Sequence, residues 1–108
     1  MRIAIAAIAI LVAGPLAAQD MQERRRAFIG KLQQQGIFHK LARPASLCHL
    51  YVGPRFASLA LEDKEQFVNV VYAYCVTERP NDKIVVLKDY RTGKDIGTYA
   101  DGWGLRLK

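Results

Sequence analysis

From Ile3 to Ala18 the chain carries no charged or polar side chain, and this opening run constrains what the rest can be. Met1-Arg2 places one positive charge ahead of it. Gly14-Pro15 breaks it near its end, and Leu16-Ala17-Ala18 closes it before Gln19. A basic start, a short apolar stretch and small residues at the end describe a cleavable secretory signal. The run is 16 residues long, short of the roughly 20 that a helix needs to span a bilayer. The expected organisation is therefore a signal over residues 1–18, cut after Ala18, and one exported domain over residues 19–108. Arg24, Arg25, Arg26 and Lys31 follow the cut and oppose this reading, because positive charge tends to hold a flank inside. Asp20 and Glu23 offset them only in part. No Cys adjoins the cut, so no lipid anchor is indicated, and no stable membrane anchor is expected after cleavage. The predicted location is periplasmic or secreted.

A chain of 108 residues has room for one domain. About ninety remain after cleavage, enough for a modest core that a cross-link would help. Two cysteines, Cys48 and Cys75, both lie in that part. An even count in an oxidising compartment predicts a disulfide between them.

The spacing predicts a helix over residues 20–35. Met21, Phe28 and Leu32 recur on one side with Ala27 and Ile29 beside them, and Gly36 is placed for a left-handed C-cap with Ile37 sealing it. Residues 37–41 are ambiguous between strand and loop. Pro44 keeps Arg43 out of the helical region. Ser46 to Val52 reads as a strand, ended by Gly53-Pro54. A second helix is expected over residues 62–77, with Phe67, Val70, Val71 and Tyr74 as its apolar stripe and Cys75 at the stripe's edge. Asp63 and Gln66 are spaced as a capping box. Pro80-Asn81-Asp82 stops the helix. A strand through Ile84–Leu87, a Gly93-tipped hairpin, a return strand through Ile96–Tyr99 and a last strand through Trp103, Leu105 and Leu107 complete the chain. The predicted fold class is α+β, a small single domain in the order α-β-α-β-β-β. Two helices would cover one face of an antiparallel sheet of three to four strands.

Catalytic and ligand motifs are weak throughout. Cys48-His49 ends like a c-type haem attachment site, but position 45 is Ala where that motif has Cys. His39, Cys48, His49 and Cys75 lack the short paired spacings of a zinc site, and neighbours on a strand point to opposite faces. A Cys/His nucleophile would need a free thiol, which an oxidising compartment ties up. Asp89-Tyr90-Arg91-Thr92-Gly93-Lys94 lacks the first Gly of a phosphate loop, since Lys88 stands there. Glu62, Asp63 and Glu65 suit the first turn of a helix rather than acid–base chemistry. No cofactor, metal or catalytic residue is predicted, and the chain is expected not to be an enzyme.

Binding is the class that remains. The net charge of +6 suits an anionic partner, and candidate contact residues are Arg24, Arg25, Arg26, Tyr99, Trp103 and Arg106. Nucleic acid is not expected, because export removes most of it from reach and no aromatics interleave with the arginine run. Trp103 reads more readily as core than as anchor, given its alternation with Leu105 and Leu107. In its leader and in the Asp-x-x-Thr-Gly-Lys hairpin before Gly104-Leu105, the chain resembles small exported proteins of Gram-negative bacteria, a resemblance that implies no activity. The predicted function is a non-catalytic binding or accessory module for an envelope component or another protein. The alternatives are a secreted inhibitor of a wall hydrolase or protease, and a thiol- or His-based enzyme or redox protein.

Overall fold

A computed structural model describes residues 15–44 and 47–108, with side chains from Gln19 onward. The leader's apolar stretch up to residue 14 lies outside the described residues. The expected cut after Ala18 falls in the first turn of helix α1, Pro15–Gln34. Six more elements follow: β1 Phe38–Ala42, β2 Cys48–Val52, α2 Leu61–Glu78, β3 Val85–Asp89, β4 Asp95–Ala100 and β5 Gly104–Leu107.

Helix α1 ends as its sequence requires. Gly36 adopts φ 81°, its N–H donates to Gln33 O at 3.1 Å, and Ile37 N–H donates to Leu32 O at 3.0 Å. This paired closure is the Schellman motif, and the apolar residues Leu32 and Ile37 that flank it are both buried. Helix α2 starts differently from expectation. Its N-cap is Ala60, with no side-chain cap, so Asp63 and Gln66 form no capping box. They lie inside the helix because it begins at Leu61. The buried stripe of α2 is Phe67, Val68, Val71 and Cys75. Val70 and Tyr74 are only partly buried, so the inward face is rotated by one residue from the predicted stripe.

The strands lie in sequence order, β1-β2-β3-β4-β5, in one mixed sheet of five. The small α+β class is as predicted, but the strand count, pairing and element order (α-β-β-α-β-β-β) differ. Two physical causes account for this. First, residues 38–42 do form a strand, but His39 is an extra residue between the pairs Phe38↔Val52 and Lys40↔Tyr51. A bulge breaks the period of two by which a strand is recognised. Second, β2 and β3 pair in parallel, Cys48↔Val85 through Val52↔Asp89. The 18 residues of α2 run back about 27 Å at 1.5 Å per residue. The chain therefore re-enters the sheet at the end where β2 began. The other three pairings are antiparallel.

Both helices lie on one face of the sheet. Ile29 and Leu32 of α1 and Phe67, Val68, Val71 and Cys75 of α2 share one core with Phe38, Cys48, Leu50, Val52, Val85 and Leu87. The Cys48–Cys75 disulfide forms and joins β2 to α2 across 27 residues. Both cysteines are fully buried. In the chain-entropy account a loop of that length stabilises by about 3–4 kcal/mol.

Two arginines of α1, Arg25 and Arg26, reach across to α2. Arg24 pairs with Asp20 one turn earlier, at 3.1 Å. Arg25 donates to Gln22 Oε1 at 2.9 Å and to Thr77 Oγ1 of α2 at 3.3 Å. Arg26 lies against the Tyr74 ring and pairs with Glu78 at 3.4 Å.

Candidate functional site, the open face of the sheet

Along β2, Cys48, Leu50 and Val52 point to the helices, so His49 and Tyr51 point the other way. The register carries that alternation across the sheet. One row on the open face is Ala42, His49, Val86, Thr98 and Arg106, and the next is Lys40, Tyr51, Lys88 and Asp95. Val86 and Ala100 are buried yet stand outside the core cluster.

Lys40 Nζ sits 4.8 Å from the centre of the Tyr51 ring. Lys88 Nζ donates to Asp95 Oδ1 at 2.6 Å. The Arg106 guanidinium lies 5.4 Å from the centre of the Trp103 ring. Each basic head rests on an aromatic face or a carboxylate, which orients it at the surface. The hydrogen bond from Lys88 first, then the charges of Lys88, Lys108 and His49, hold the Asp95 carboxyl below its ordinary value against a burial effect. Burial first, then the Lys88 charge, push the His49 imidazole below its ordinary value, and Asp95 opposes them. Among the described strand residues, Asp95 is the one carboxylate on this face, against Lys40, Lys88 and Arg106, with Lys108 close enough to act on it. The face is positive, aromatic at both sides and broad. It suits electrostatic capture of an anion rather than enclosure of a small molecule.

The structure brings together only two of the sequence-selected contact residues, Trp103 and Arg106. Trp103 is 42% exposed and lies in the turn before β5, so it does not close the core as its alternation suggested. Leu105 does pack against the core, while Leu107 is 41% exposed. Tyr99 faces the helices. Its hydroxyl donates to Asn69 Oδ1 at 2.7 Å, its ring meets Tyr72 edge-on, and burial chiefly raises its pKa. The arginines of α1 stand in the helical layer. Lys40, His49, Tyr51 and Lys88 were not selected from the sequence as contact residues. No run in the chain places them together, and only the register does.

A second polar cluster also escaped the sequence reading. Asp82 is 1% exposed. Its Oδ2 accepts from Arg79 Nε at 2.8 Å and from Arg43 Nη2 at 3.2 Å. Arg43 also donates to Glu78 Oε1 at 2.6 Å and to the Cys75 carbonyl at 2.9 Å. The cluster ties the β1–β2 connection to the end of α2, beside the disulfide. Burial alone would raise the Glu78 carboxyl, but hydrogen bonds from Arg43 and Tyr74 and the charges of Arg43 and Arg26 leave it below its ordinary value.

Both sulfurs are bridged, so neither Cys48 nor Cys75 is a nucleophile in this state. Among the described residues no group of three His, Cys, Asp or Glu side chains gathers as a metal site would require. Asp89-x-x-Thr-Gly-Lys is a hairpin tip. Asp89 Oδ1 accepts from the N–H groups of Arg91 and Thr92 at 2.7 and 3.1 Å, and Gly93 takes φ 74°. The bridge suits an oxidising, extracytoplasmic compartment. No described helix is long and apolar enough to cross a membrane. The chain matches no protein-family model, no curated protein and no solved structure.

Proposed function

We propose that residues 19–108 form an exported, non-catalytic module that holds an anionic component of the cell envelope on the open face of its sheet. The observation that carries this reading is the open face itself. It carries Lys40, Lys88 and Arg106 against the single strand carboxylate Asp95, which Lys88 and Lys108 both act on, with Tyr51 and Trp103 beneath the Lys40 and Arg106 heads. Charges on a flat exposed surface contribute through long-range attraction, so the binding is weak per contact and sensitive to salt. The helical face carries basic residues too, but its arginines are engaged with Asp20, Thr77, Tyr74 and Glu78.

Inorganic polyphosphate serves as the test ligand, titrated at low and at high salt. The paired substitutions Lys40→Glu and Arg106→Glu are expected to weaken binding by about tenfold or more. Lys31→Glu, an equal change of sign per residue on the exposed side of α1, is expected to leave it within about twofold. Equal losses from the two faces would overturn the assignment to the sheet.

A further inference from the structure

Leu61, Tyr90, Trp103 and Leu107 are the large apolar side chains exposed among the described residues. Two of them, Trp103 in the turn before β5 and Leu107 on that strand, stand on either side of Arg106 in sequence. Among the described residues that strand is an edge, paired on one side with β4 and with no strand on the other. The Arg106 guanidinium over the Trp103 ring shows that the indole folds back along β5 on the open face. Leu107 lies on the opposite face, opposite Gly97 in the register, and its Cδ2 crowds the space where a side chain at Gly97 would stand. The rim of the sheet is thus apolar on both faces and basic between them, with Lys108 next in sequence.

A soluble polyanion explains the basic residues but not the exposed indole and leucine. A lipid headgroup layer accounts for both. Trp settles at the boundary between headgroups and acyl chains, and each Lys or Arg near an anionic leaflet is worth about fivefold in partitioning. We infer that the β5 rim docks on an anionic phospholipid leaflet, with Trp103 and Leu107 among the headgroups and Arg106 and Lys108 over the phosphates. This inference rests on the open-face reading and names the component bound. The unpaired backbone of β5 sets the depth. Its free N–H and C=O groups find partners in water and headgroups but not in hydrocarbon. Neither the apolar pair nor the cations would suffice alone, as with other peripheral anchors that combine two weak signals.

Trp103 is the only tryptophan in the sequence, so its emission reports this rim directly. The apolar N-terminal run has its own affinity for bilayers, and for that reason the readout is taken at Trp103. The chain is mixed with vesicles of phosphatidylglycerol and phosphatidylcholine, or of phosphatidylcholine alone. With the anionic vesicles, Trp103 emission should shift to the blue and be quenched by brominated acyl chains. With the neutral vesicles it should not change. Arg106→Glu and Leu107→Ser should each raise the lipid concentration needed for half of the shift by about tenfold. Unchanged Trp103 emission on anionic vesicles would overturn the inference, as would an equal shift on neutral ones. If polyphosphate still binds the open face while Trp103 ignores lipid, the lipid assignment fails and the open-face reading stands. If neither ligand engages, both fail.

Discussion

The Arg106 guanidinium stands over the Trp103 ring, 5.4 Å from its centre, on the face of the sheet that no described helix covers. The two residues are three apart in sequence, and the turn before β5 lets the indole lie back along the strand. The pair therefore belongs to the surface. Trp103→Ala is expected to change unfolding free energy by less than about 1 kcal/mol, as for surface substitutions generally. Urea denaturation followed by circular dichroism measures this. A loss of about 3 kcal/mol or more, typical of a core tryptophan, would show that the ring closes the core after all.

Asp82 has the opposite character. It is buried, and its carboxylate receives Arg43 and Arg79. Asp82→Asn would leave two guanidinium groups facing a neutral amide. Breaking a buried ion pair from one side costs about 3–5 kcal/mol. The expected result is a large fall in the denaturation midpoint, while Asp20→Asn, which removes the exposed pair with Arg24, should cost under about 1 kcal/mol. Equal small effects would show that the buried cluster does not hold the two connections together.

The disulfide links the first residue of β2 to the last turns of α2. Cys48→Ala with Cys75→Ala should lower stability by about 3–4 kcal/mol. Because both sulfurs are buried, reductant should act on the native protein slowly and on the denatured protein at once. Rapid native reduction, read by thiol labelling and mass, would contradict the buried placement.

The pH dependence follows from the shifted groups. The His49 imidazole has a folded pKa below its unfolded value near 6.5. The unfolded state therefore binds the proton more readily, and the His49 contribution is fully present above that value and lost as pH falls through the folded pKa. Glu78, Asp89 and Asp95 are likewise depressed. Their contributions are present above the ordinary carboxylate range and lost as pH falls below it. Stability should thus decline in two stages on acidification, and His49→Gln should remove the first. Polyphosphate affinity should move the other way, rising as His49 gains its charge beside Lys88. A single stage unaffected by His49→Gln would contradict this placement of the imidazole.

The amount of structure legible in the sequence varied with the range of the signal. Local signals were read well: the Gly36 cap, the Gly93 hairpin tip, the existence of two helices and the Cys48–Cys75 pairing. Each depends on residues that lie on one turn or on a count of two. Signals set by long-range pairing were missed. The bulge at His39 hid β1 by breaking its alternation, and nothing local in α2 says that β3 returns parallel to β2. Part of the site shared that fate. The arginine run at 24–26 drew attention because its charges are adjacent in sequence, yet in the fold they are paired with side chains of the two helices. Trp103 and Arg106 were legible as contact residues, while Lys40, Tyr51 and Lys88 come from three strands and share a row only through register. Lys40 and Tyr51 set a basic and an aromatic residue together across two strands, a pairing that no run of the chain spells out.

Backbone amide shifts during a polyphosphate titration test the central claim most directly, because they locate the contact without any substitution. The open-face reading predicts that the largest changes map to Lys40, His49, Tyr51, Lys88, Thr98 and Arg106, and shrink with added salt. Changes centred instead on Arg24, Arg25 and Arg26, or spread evenly over both faces, would contradict it.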